Sequence, residues 1–212
     1  GVPKAEAHPY AGQGFVGDVK QGGSCNFEVY NFIPHCNGTH TECAGHLTHE
    51  RLSVHDVLKE SLIPASVITV PLSKKSHVSD TYQPELEGED AFVSRASLEQ
   101  VFQQVSVEFS EAIVIRTLPN AEDKKSRDYT QSLCPFFSND AMKFLVEKGV
   151  KHLLVDFPSV DRLFDKGYLS NHRIFWGLEW GSTDRPKGPF QDKTITEMVF
   201  VSENVKDGCY LL

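Results

Sequence analysis

Five of the nine histidines, His35, His40, His46, His49 and His55, crowd into one short stretch of this 212-residue chain, together with Cys36, Glu42 and Cys43. Side chains at i, i+2 and i+4 of an extended backbone share a face, so an extended segment projects Cys36, His40 and Glu42 together, with Gly38 leaving room between them. Thiolate, imidazole and carboxylate suit zinc or another borderline first-row cation better than calcium or magnesium. His46 follows a Cys-Ala-Gly turn and is placed to face the same cation, as a ligand or as a general base. His35 points the other way in an unbroken strand and replaces Cys36 as the ligand only if the strand bulges. His49 and His55 fall off the parity, on a helical segment, and read as structural or surface residues. A nucleophilic Cys43 or Cys36 beside a histidine is the rival catalytic reading. A closed structural or sensing metal site is the non-catalytic one.

The elements that must position these residues follow from hydrophobic periodicity. FEVYNFI, residues 27–33, reads as a strand running into the histidine cluster, and SVHDVLKESL as a short capped helix. ASVITVPL and FSEAIVIRTL are β-branched runs of buried strands, with a polar loop over 73–92 and a helix after Ser97 between them. NDAMKFLVEKG is an amphipathic helix opened by Ser138 or Asn139 and closed at Gly149, and HLLVDF follows it as a buried strand. Strand, helix, glycine turn and strand make a βαβ unit in a mixed α/β fold. TITEMVFV and ENVKDGCYLL read as closing strands.

Composition narrows the function. Lys and Arg number 21 against 29 Asp and Glu, a net charge of −8 with no basic stripe, which argues against nucleic acid or an anionic membrane surface as partner. No apolar run approaches the roughly 18 residues of a membrane-spanning helix. Five scattered cysteines, an odd number with no C-x-x-C pair, point to a reducing, cytoplasmic setting. The whole length, 1–212, reads as one domain, with further residues expected before Gly1.

GTHTECAGH resembles the metal motif of the putative cyclase family, H-x-G-T-H-x-D-x-P-x-H, to which bacterial kynurenine formamidases and isatin hydrolases belong. VKHLLVDFPSVDR resembles that family's strand and loop around Gly-Ile-Asp-x-x-Ser-x-Asp, FSEAIVIRT its central strand, and NHRIFWG with TITEMVFV its closing segment. The resemblance implies a swivelling β/β/α domain with a mixed sheet, and a metal-dependent hydrolase of small non-peptide amides, lactams or esters. It implies zinc, or manganese, at one or two ions per chain, and a homodimer or homotetramer. Position by position, His40 matches the histidine of the Gly-Thr-His core, Glu42 the metal-binding aspartate and His46 the proposed catalytic base. His172 and Glu197 match the distal pair that completes a second metal position, Glu197 bearing on catalysis as well.

This chain departs from the motif where Cys36 replaces the first ligand histidine, Glu42 adds a methylene to aspartate, and Ala44 replaces proline. A thiolate ligand adds negative charge and raises the pKa of a bound water. GSTDRPKGPFQDK lengthens the segment between His172 and Glu197 into a loop. Asp156, Ser159 and Asp161 could act as acid or nucleophile, but Asp156, closing a buried strand, is read as holding loop amides or orienting a histidine. Phe175, Trp176, Trp180 and Phe190 flank the inserted loop as core residues or as walls of an aromatic pocket.

Overall fold

The computed structural model describes residues 3–212. They divide into two compact units, Gly1–Thr39 and His40–Leu212. In the first, the strand Glu6–Pro9 pairs antiparallel with Glu28–Asn31, and Ala11–Gly12 with Phe15–Val16. The Phe27 ring stacks between Tyr10 and Phe15, with centroids 5.3 and 5.5 Å away.

The extended run expected through residue 36 ends early. Pro34–Asn37 forms a single helical turn, and Cys36 lies exposed within it. The cause is local: Pro34 opens the turn with a φ that suits a helix start, and the Asn37 carboxamide accepts the Ile33 N–H at 2.7 Å. The parity that placed Cys36 on one face with His40 and Glu42 therefore does not apply to it.

The second unit is built on a six-stranded sheet. In spatial order its strands are Gly208–Leu211, Pro64–Pro71, Ala112–Leu118, His152–Val155, Thr194–Glu197 and His40–Cys43. The four inner strands are parallel and the two outer ones antiparallel. The architecture is mixed α/β, as expected. One face carries Ile68, Val70, Ile113, Ile115, Leu153, Val155 and Ile195, buried against the helices Arg95–Phe102, Asn139–Glu147 and Ser170–Phe175. The other face carries Val67 and Val114, covered by Val199, Val201 and Val205.

Ser138 caps the Asn139–Glu147 helix by accepting the Ala141 N–H, and Gly149 follows at φ 75°, where a side chain would be strained. Ser94, rather than Ser97, caps Arg95–Phe102, accepting the N–H of Ser97 itself. The 73–92 stretch, expected to be loop, contributes short strands at Ser73–Lys74 and Ala91–Val93, and its Tyr82, Leu86 and Phe92 pack with Phe136 in a small, mostly aromatic cluster. Among the described residues no helix is long and apolar enough to cross a membrane.

A buried ion pair ties two inner strands at their C-terminal ends. Asp156 accepts the N–H and Oγ1–H of Thr117, both at 2.8 Å, and Lys124 Nζ reaches Asp156 at 2.7 Å and the Thr117 carbonyl at 2.7 Å. Asp156 thus holds an amide of the strand Ala112–Leu118 rather than a loop amide, and its hydrogen bonds go to Thr117 and Lys124 rather than to a histidine. Replacing Lys124 with Met strands a carboxylate in the interior, and the expected loss of stability is about 3–5 kcal/mol, read by denaturant unfolding. Adding Asp156→Asn removes the stranded charge and is expected to recover much of that loss; no recovery would mean that the pair is not the cause.

Candidate metal centre

The apolar stripe on the helix-covered face changes chemistry at one end. Glu197 continues the parity of Ile195, and on the neighbouring antiparallel strand Glu197 lies opposite His40 and Ile195 opposite Glu42. His40, Glu42 and Glu197 therefore stand on one face at the edge of the core, while Thr41 and Thr196 join through their hydroxyls at 2.8 Å on the other. One donor atom from each of His40, Glu42 and Glu197 lies within 4.8 Å of the others. Glu197 Oε2 is 3.4 Å from His40 Nε2, and Glu197 Oε1 accepts the Val160 N–H at 2.8 Å.

The Ser170–Phe175 helix supplies a fourth donor. His172 Nε2 lies 2.8 Å from Glu42 Oε1 and 3.6 Å from Glu197 Oε1. The loop before this helix runs through left-handed residues Lys166, Gly167 and Leu169, and Asp165 stabilises it by accepting the N–H groups of Gly167 and Leu169. Asn171 then pins the helix, its carboxamide donating to the Phe137 and Val160 carbonyls.

Asp161 aims the histidine. Its Oδ2 faces His172 Nδ1 at 2.6 Å and accepts the His172 N–H at 3.1 Å, while Oδ1 accepts the Asn171 N–H at 2.9 Å. Burial would raise the Asp161 pKa, but the His172 ring and these N–H donors outweigh it and hold the carboxyl below its usual value. With Nδ1–H directed at Asp161, the Nε2 position of His172 is left to face Glu42 and Glu197. Burial would lower the His172 pKa, but the Glu42 and Asp161 carboxylates more than offset it and the ring is pushed well above an ordinary imidazole.

His46 closes the 3₁₀ turn Ala44–His46 and is exposed, unlike the buried Glu42, Glu197 and His172. Its ring centroid lies 5.7 Å from that of His172 and 6.4 Å from that of Trp176, beside the donor cluster. Desolvation lowers its pKa and the nearby His172 and His40 rings add to this, against an opposing pull from Glu42. Phe175 and Trp176 are fully buried in the core, and Trp180 is exposed. The Cys43 thiol donates to the Leu52 carbonyl and burial raises its pKa, the reverse of what activates a nucleophilic thiol. Of the expected site residues, the structure thus gathers His40, Glu42, His46, His172 and Glu197 into one place. Asp161, rather than Asp156, is the carboxylate that orients a histidine.

A divalent cation fits this donor set. Two carboxylates balance its charge, and two imidazoles complete an N and O set suited to zinc. Donors about 2.1 Å from a tetrahedral ion are spaced by about 3.4 Å. The His40 Nε2–Glu197 Oε2 separation of 3.4 Å matches that spacing, and His172 Nε2 lies 3.6 Å from the other Glu197 oxygen; its 2.8 Å contact with Glu42 Oε1 is a hydrogen bond that a bound ion would replace.

The chain matches the family model described as Putative cyclase over residues 4–162 and belongs to that family. The match takes in His40, Glu42, His46 and Asp161; His172 and Glu197 lie beyond it, and the geometry is what joins them to the others. Kynurenine formamidases of Bacillus cytotoxicus and Bacillus thuringiensis are each 27% identical to this chain over 157 residues, 74% of its length and 63% of theirs. The chain thus spans less than two thirds of the length of these curated relatives. An isatin hydrolase solved with the product analogue thioisatinate shares the fold, with a TM-score of 0.57 at 13% identity over 97% of this chain and 73% of that one.

Proposed function

We propose that the chain is a metal-dependent hydrolase of a small-molecule amide, lactam or ester outside a peptide chain. The observation that carries the reading is the convergence of His40, Glu42 and Glu197 on one sheet face with His172 Nε2, itself aimed by Asp161. The family and the similarity to kynurenine formamidases favour the C–N bond of an amide or lactam. His40, Glu42, Glu197 and His172 are the residues that would hold one cation, zinc or manganese. When bound, such an ion polarises a carbonyl oxygen and lowers the pKa of a coordinated water toward neutrality.

The chain's own residues then divide the work. Asp161 keeps the His172 proton on Nδ1, so that Nε2 serves as a donor. His46 is exposed and its pKa is held below that of an ordinary imidazole, which favours the unprotonated ring that can accept a proton from the attacking water and return it to the leaving nitrogen or oxygen. The buried Trp176 ring lies beside both imidazoles, its centroid 5.3 Å from that of His172 and 6.4 Å from that of His46. The free state of all five cysteines accords with a cytoplasmic setting.

Elemental analysis of protein purified without chelator or metal-affinity resin tests this reading, joined to hydrolysis assays on N-formyl arylamines, lactams and aryl esters. The expected result is about one zinc or manganese per chain and turnover that stops on chelation and returns on adding the metal. No bound metal after add-back, or turnover indifferent to chelator and abolished by a thiol alkylator, would overturn it.

A further inference from the structure

Asp161 is held from its far side by a residue remote in sequence from every metal donor. Tyr82 lies in the small aromatic cluster, its ring buried, 4.8 Å from the Phe136 centroid and capped by the Arg162 guanidinium at 5.5 Å. Its hydroxyl oxygen lies 2.9 Å from Asp161 Oδ1 and 2.9 Å from the backbone nitrogen of Arg162. An N–H can only donate, so the Arg162 amide occupies the acceptor side of the phenol and the phenolic proton goes to the carboxylate.

Asp161 Oδ1 therefore receives Tyr82, the Asn171 N–H and, at 3.3 Å, the Ser170 hydroxyl, while Oδ2 receives the His172 N–H and faces Nδ1. Every one of these partners donates, so the carboxylate has one orientation that satisfies them all. Rotating Oδ2 away from His172 breaks the Tyr82 contact at the same time.

We propose that Tyr82 is a positioning residue for the metal centre: its hydroxyl fixes the Asp161 carboxylate, which in turn keeps His172 Nε2 aimed at Glu42 and Glu197. This rests on the reading of His172 as a metal donor. Carboxylates and their partners behind a ligating histidine are worth about 10–100-fold in metal affinity. A hydroxyl one bond further out belongs toward the lower end of that range.

Tyr82→Phe removes the hydroxyl and leaves the ring against Phe136 and Arg162. Zinc affinity, measured by competition with a chromophoric chelator, is expected to fall about tenfold, and the visible spectrum of the cobalt-loaded chain to change in position and intensity. In an Asp161→Asn background, Tyr82→Phe is expected to have no further effect on affinity, because Tyr82 acts through that carboxylate. A variant that is less stable but binds zinc and shows a cobalt spectrum like the parent would overturn the proposal and leave Tyr82 as packing alone.

Should Tyr82→Phe not fold, the parent chain still decides the matter. The proton of its buried Tyr82 hydroxyl, hydrogen-bonded to Asp161, should shift on zinc loading in proton NMR, and an unmoved resonance counts against the proposal. A parent chain that binds no zinc sinks the metal reading itself, a result distinct from a parent that binds zinc with the variant unchanged.

Discussion

Glu197→Gln is expected to strip the chain of tight metal binding while leaving it folded. The substitution keeps the shape of a side chain that is 1% exposed and keeps an oxygen for the Val160 N–H, but it removes one of the two negative charges in the donor set. Losing a residue behind a ligand costs about 10–100-fold in affinity, so losing a carboxylate ligand should cost at least about 100-fold, with turnover falling in parallel. The metal-free fold should respond differently. In it, Glu42 and Glu197 are two buried carboxylates with oxygens within 4.8 Å of each other, beside the His172 ring whose pKa the Glu42 and Asp161 carboxylates push up. Removing one relieves repulsion, so the metal-free variant should be as stable as the parent or up to about 1 kcal/mol more stable. Thermal unfolding with and without zinc measures both effects: zinc should raise the parent's midpoint and leave the variant's almost unmoved. A variant that binds zinc like the parent would remove Glu197 from the donor set.

His40 and Glu42 could be read as a same-face pair because their strand is continuous, and pairing with Thr194–Glu197 holds it to a period of two. Cys36 fell outside that logic because parity carries only as far as the strand does. Pro34 and the Asn37 side chain had already turned the backbone into a helical turn. The buried strands and the Asn139–Glu147 helix were legible for the same reason, since β-branched runs and a three-and-four-residue apolar step are local signals.

What a sequence alone carries poorly is a contact made by topology. Asp161 sits eleven residues before His172 and Tyr82 seventy-nine before Asp161, and no periodicity links them. Tyr82 lies in a polar stretch that reads as loop, and its burial against Phe92 and Phe136 is made by the fold. Choosing Asp161 over Asp156 as the orienting carboxylate likewise needed three dimensions. Both close the same strand-and-loop segment, but Lys124 occupies Asp156 and the His172 helix turns back onto Asp161.

His46→Ala should separate proton transfer from metal binding. None of the four donors is touched, so metal content should match the parent's, while kcat should fall about 10²–10⁴-fold, the range for removing a positioned general base. The pH profile gives the sign of the role. A base works only when unprotonated, so activity must rise with pH as His46 loses its proton and then level off. Desolvation together with the neighbouring His172 and His40 rings lowers the His46 pKa below an ordinary imidazole, which moves that rise to the acid side and puts the plateau at neutral pH. A cation held by His40, Glu42, Glu197 and His172 adds positive charge beside the ring and pushes the rise further the same way. In His46→Ala this acid limb should vanish, and small imidazoles added to the assay should restore part of the rate, since the exposed position leaves an opening to solvent. A variant that kept full turnover with an unchanged acid limb would show that the proton goes elsewhere. Glu42 or Glu197, the carboxylates within the cluster, would then be the groups to test next as the proton's acceptor.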